Sequence, residues 1–123
     1  MRDPPPLVPG ALLLDVRNRA ERRAVVHYLL RGYRILGTNV WAAGNEVDVI
    51  ARRGRRIVFC EVKSKSGRRY GDPIEMVGPE KARRVKRAAT VWLAGRPHLR
   101  GLEVRFDVVT ETDGRLRRLP NAF

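Results

Sequence analysis

A mixed α/β fold, with a small sheet flanked by helices, is predicted by three observations on this 123-residue chain. Two segments, starting near residues 18 and 79, carry apolar residues at helical spacing. Residues 46–52 and 56–63 alternate apolar and polar side chains on either side of Gly54. Alternation returns over residues 103–110, just before Asp113-Gly114. The element order is therefore helix, three strands, helix, one or two strands.

The first helix carries its own start and stop signals. Asn18 offers an N-cap, Glu21 completes a capping-box spacing, and Gly32 ends the run. Ala20, Ala24, Val25, Tyr28 and Leu29 share one stripe, with Arg19, Arg22 and Arg23 opposite. Glu21 falls near the centre of that apolar stripe, where an unpaired charge is costly. Two accounts stay open for it: a first-turn cap, or an acid with a task.

Residues 33–36 are expected to form a short strand broken by Gly37, with Trp41 in the loop that follows. The next two strands read as a hairpin whose register can be deduced. If Arg53 pairs with Arg56 around Gly54-Arg55, then Ala51 faces Val58, Val49 faces Cys60 and Val47 faces Val62. Every apolar pair then lies on one face. Asp48 opposite Glu61, and Glu46 opposite Lys63, occupy the other.

The second helix begins at Pro79, after Gly78, and stops before Gly95. Ala82, Val85, Ala89, Trp92 and Leu93 form its stripe, and Lys81, Arg83, Arg84, Lys86 and Arg87 surround it. Asp113-Gly114 turns the chain into a last strand over residues 115–119. Residues 1–13, rich in proline, read as a disordered arm. Residues 14–123 read as a single domain.

Charge narrows the function. The chain has 26 Lys and Arg against 13 Asp and Glu, a formal net charge of +13. The excess is +5 over residues 1–62 and +8 over residues 63–123. Phosphate backbones reward such density through counterion release, so nucleic acid is the expected partner rather than a membrane. No apolar run nears the about 20 residues of a membrane-crossing helix. Cys60 is the single cysteine, so no internal disulfide forms and a reducing cytoplasm is the expected compartment.

The acidic minority suggests chemistry. In the deduced register Asp48 and Glu61 stand about 5 Å apart, a repulsion of roughly 3 kcal/mol. A Mg²⁺ or Mn²⁺ ion between them would reverse that sign, since hard cations take carboxylate oxygens and water. Lys63 projects from the same face as Glu61, and the Val62 carbonyl between them is a further candidate ligand. Such a set suits metal-assisted phosphodiester hydrolysis. Lys65, Arg68 and Arg69 on the following loop, with Lys81 and Arg84 on the second helix, are the candidate phosphate contacts. His27 and His98 have no ligand-spaced partners, which argues against zinc. Cys60 and Trp92 read as core; Trp41 stays open as a base-stacking residue.

Several segments together resemble the YraN family of bacterial proteins. These are Asn45-Glu46-Val47-Asp48-Val49-Ile50-Ala51 and Val58-Phe59-Cys60-Glu61-Val62-Lys63. The pattern Ala20-Glu21, Ala24, Tyr28-Leu29, Gly32-Tyr33 and Asn39 also fits. So do Tyr70-Gly71-Asp72-Pro73, Lys81 and Arg105-Phe106-Asp107-Val108-Val109. That family is similar to the PD-(D/E)xK nucleases, which include restriction endonucleases and Holliday-junction resolvases. The resemblance implies a restriction-endonuclease-like α-β-β-β-α-β core. It also implies Asp48 and Glu61 as metal ligands, Lys63 as the catalytic lysine and Glu21 as an added helix-borne acid. Glu46 belongs to the motif and is grouped with the catalytic residues. Val47 stands where the superfamily name has proline, Asn45 where glycine is usual, and Lys65 where arginine is usual. The expected function is a Mg²⁺-dependent DNA endonuclease, acting on branched or flapped DNA. The alternatives are a nucleic-acid-binding module without turnover and a basic scaffold for an acidic protein. A homodimer is implied only by analogy with resolvases.

Overall fold

The computed structural model describes residues 19–65 and 77–123, without the side chain of Lys65. Helix α1 spans Arg19–Leu30, followed by strands β1 (Arg34–Ala42), β2 (Asn45–Arg53) and β3 (Arg56–Lys65). Helix α2 (Pro79–Ala94) and a short 3₁₀ turn (Pro97–Leu99) lead to β4 (Glu103–Thr112) and β5 (Arg115–Leu119). The expected arm over residues 1–13, the Asn18 cap, and Arg68, Arg69 and residues 70–73 lie outside the described residues.

The five strands form one sheet in sequence order, β1-β2-β3-β4-β5. Pairing is antiparallel throughout except between β3 and β4, which run parallel. The parallel pair follows from α2, which carries the chain back to the start of the sheet. This is the α-β-β-β-α-β order expected, with β5 added.

Turn chemistry explains the hairpins. Gly54 has φ +58° and Arg55 does not, as a type II′ turn with glycine first requires. Asp113 and Gly114 both have positive φ, the type I′ pattern. Ala43 and Gly44 join β1 to β2 in the same way, at φ +51° and +72°. Alanine is an unusual occupant there, because its Cβ crowds the carbonyl in a left-handed conformation.

Two apolar layers clamp the sheet. Ala24, Val25 and Tyr28 of α1 pack on Ile35, Val49, Ala51, Val58, Cys60 and Val109. On the other face Ala88, Ala89 and Trp92 of α2 cover Val47, Ile50, Ile57 and Phe59. The Phe59 and Trp92 rings meet edge to face at 5.8 Å. Cys60 and Trp92 are core residues, as expected, and Cys60 is a free, buried thiol.

Two features depart from the sequence reading. Strand β1 runs through Gly37 to Ala42, so Trp41 lies on a strand rather than in a loop. The strand survives because an irregularity between Ile35 and Gly37 absorbs the break. A Cβ at position 37 would stand 2.7 Å from Val40 Cγ2, so this approach demands glycine. The second departure concerns Val47. Arg53↔Arg56, Ala51↔Val58 and Val49↔Cys60 pair as deduced. Val47, however, packs beneath α2, on the opposite face from Val49 and Val62.

Candidate functional site

The cause of that flip is the site itself. Asn39 on β1 has φ +49°, a left-handed conformation that Asn tolerates better than most residues. The regular pairs Thr38↔Val49 and Val40↔Val47 flank it. Val40 and Val47 therefore turn towards α2, while Asn39 turns towards α1. Its amide Nδ2 donates to Glu21 Oε2 at 3.0 Å and to Glu46 Oε1 at 3.5 Å.

Asp48 stands at the same level on β2. Its Oδ2 accepts a hydrogen bond from the Val62 backbone N–H at 2.8 Å. The β2–β3 ladder extends no further than Val49↔Cys60, because a side chain has taken the place of the next strand contact. The expected backbone pairs Asp48–Glu61 and Glu46–Lys63 are therefore not ladder pairs. Beyond that level β3 continues with β4 alone, through Lys63↔Thr110 to Lys65↔Thr112.

The split brings acids together from α1 and β2. Glu21 of α1, Glu46 and Asp48 each offer an oxygen, all within 4.8 Å of one another. Glu21 is buried and the other two are half-buried. Glu61 reaches Asp48 from the α2 side. Burial, then repulsion from Glu61 and a hydrogen bond to it, push the Asp48 carboxyl up to about 7; the Val62 N–H and Glu21 act in the opposite direction. Asp48 and Glu61 are thus neighbouring carboxyls, as the register argument expected, but through side chains rather than through the ladder.

Glu61 is itself almost wholly enclosed, with its side chain 3% exposed. Its counter-charge is Lys81 in the first turn of α2, with Nζ 3.1 Å from Oε1. Lys81 was expected among the phosphate contacts; its ammonium faces the acid instead. Lys63 is half-buried, two residues beyond Glu61 on the same strand. Arg84 is exposed and pairs with Glu80 at 3.4 Å, one turn along the helix. Such a surface pair contributes little. Val62 joins the site through its N–H.

A second buried group steadies the frame. Tyr28 Oη donates to Asp107 Oδ2 at 2.6 Å, and the Asn121 N–H donates to Asp107 Oδ1 at 2.8 Å. Arg118 Nε lies 3.7 Å from the same carboxylate. Burial above all pushes the Tyr28 hydroxyl well up, so it stays a donor. His27, one residue before, is half-buried, and burial lowers its pKa.

The residue missed in the site reading is Asn39. Its signal was present: an Asn two residues after Gly37 is suited to φ above zero. Hard carboxylate oxygens converging from α1 and β2 fit a Mg²⁺ or Mn²⁺ ion by donor type. They do not form a zinc set, which would draw on His or Cys. No helix among the described residues is long and apolar enough to cross a membrane.

Comparison with known proteins identifies the family. A family profile described as "Uncharacterised protein family UPF0102" matches residues 20–110. A UPF0102 protein of Methylorubrum extorquens is 41% identical over 123 residues, covering 97% of this chain and 94% of the relative. One from Anaeromyxobacter dehalogenans is 46% identical over 99 residues, covering 76% and 72%. One from Frankia casuarinae is 44% identical over 86 residues, covering 70% and 72%. The matched span runs from Ala20, beside the helix-borne acid, to Thr110 on β4, and so takes in the split strands and every carboxylate around them. The chain belongs to the UPF0102 family, the YraN family that its motifs resembled.

Proposed function

We propose that this protein is a Mg²⁺-dependent nuclease that hydrolyses DNA phosphodiester bonds at the Asp48 cluster, within the cytoplasm. The observation that carries the reading is the convergence of Glu21, Glu46 and Asp48 within 4.8 Å at the end of the sheet where β2 and β3 part. Asp48, Glu21 and Glu46 would hold the cation, with Glu61 beside Asp48. When bound, a divalent ion supplies a more acidic water and a positive contact for the phosphate.

The remaining work falls to the chain. Asn39 fixes the rotamers of Glu21 and Glu46 through its amide. Val62 N–H orients Asp48. Lys63 carries an ammonium on the strand that bears Glu61 and would meet a phosphate oxygen or the attacking water. Lys81 balances Glu61. Outside the cluster, Arg83, Arg84, Lys86 and Arg87 form an exposed basic face on α2, suited to the rest of the backbone. The net charge of +13 supports a nucleic-acid partner. The free, buried Cys60 suits a reducing compartment.

The test is a panel of linear, nicked, flapped and four-way DNA incubated with Mn²⁺ or Mg²⁺. Cleavage is expected in the native protein and lost in Lys63→Ala and Asp48→Ala. Cleavage that persists in either variant would overturn the assignment.

A further inference from the structure

Trp41 is 69% exposed, although a large aromatic residue on a strand is ordinarily covered. Its position gives that exposure a meaning. Trp41 pairs with Glu46 across the β1–β2 ladder, and directly opposed residues of an antiparallel pair share a face. Asn39, two residues earlier, also faces α1 and holds Glu21 and Glu46. The indole therefore stands beside the acid cluster, on the rim where β1 is an edge strand. Lys63 lies at the same end of the sheet, two strands away on β3. An uncovered ring on the rim of a site that would hold a phosphate is a surface for unpaired nucleotides, because every base presents a π-face.

We infer that Trp41 is a stacking platform for an unpaired nucleobase next to the bound phosphate, so that the site takes single-stranded or frayed DNA rather than continuous duplex. This rests on the nucleic-acid reading above and deepens it by naming the substrate form. A paired base is stacked within its duplex and has no free face to offer. A flap, a gap or a strand end does.

The chain has two tryptophans, and the other, Trp92 of α2, is nearly buried against the sheet, 7% exposed. Fluorescence therefore separates them. Single-stranded oligothymidylate, titrated without divalent cation, is expected to quench the red-edge emission of Trp41 and leave the Trp92 emission unchanged. Fully paired duplex of equal length should quench far less. Trp41→Ala should weaken single-strand binding by about tenfold, measured by anisotropy of a labelled oligonucleotide, while Trp41→Phe largely restores it. Equal binding of single strand by Trp41→Ala and the native protein would overturn the proposal. So would emission that shifts with protein concentration alone, since that assigns Trp41 to contact with a second copy. Quenching without cleavage would remove the nuclease reading and leave the platform standing. Cleavage insensitive to Trp41 would do the reverse.

Discussion

Asp48 Oδ2 accepts the Val62 backbone N–H at 2.8 Å, and the β2–β3 ladder goes no further than the level just before it. This one bond parts the antiparallel half of the sheet from the β3–β4 half, and the acids gather where the two diverge. Its proton chemistry governs the first two expectations.

Without a cation, Asp48→Asn should stabilise the protein at pH 8. Below pH about 3.8 both folded and unfolded chains carry the proton, so the site costs nothing. From there to about 7 the unfolded carboxyl ionises while the folded one keeps its proton, so stability falls as pH rises. Above 7 the loss is complete. The amide still accepts from Val62 and removes the repulsion with Glu61. A gain of about 2 kcal/mol in urea denaturation at pH 8 is expected, shrinking towards zero at pH 3.5. A destabilised variant at pH 8 would contradict the assignment.

Cation affinity should climb as pH passes through about 7, where Asp48 becomes an anion. Calorimetric titration of Mn²⁺ at pH 6 and pH 8 reads this directly. Tighter binding at pH 8, weakened roughly tenfold or more in Glu21→Gln, is the expected pattern. Affinity that does not change with pH would exclude Asp48 as a ligand.

Lys81→Met should destabilise the protein by about 2 kcal/mol, because Glu61 then keeps a buried charge without its ammonium. The double variant with Glu61→Gln should recover most of that loss. Additive losses in the two-residue cycle would show that the ion pair is not the source.

At the β1–β2 turn, Ala43→Asn should raise stability by about 0.5–1 kcal/mol, since Asn accepts φ near +51° more readily than Ala. Thermal melts of the two proteins decide it; an unchanged or lower Tm would mean that the turn is set by its flanking strands.

Much of this fold was legible beforehand because its signals are local. The hairpin at Gly54, the helix opening at Pro79 and the turn at Asp113-Gly114 all depend on neighbours within a few residues. The apolar stripe of α1 located Tyr28 correctly, though not its partner Asp107, which arrives from 79 positions away. The level of Asn39 and Asp48 was less accessible. Strict alternation assigned Val47 to the wrong face, because a left-handed Asn on one strand and a side chain replacing a backbone partner on the next break the period of two. Glu21 shows the value of a local conflict. An acid within an apolar stripe is out of place for packing alone, and it now meets Asn39, Glu46 and Asp48.

The parted sheet has one more consequence. Asp48 lies in the plane of the strands, with Glu21 and Glu46 on the α1 side and Glu61 on the α2 side. A carboxylate so lodged faces two compartments at once. Binding stoichiometry therefore becomes a structural measurement: one ion assigns Asp48 to a single compartment, whereas two make it the bridge between them.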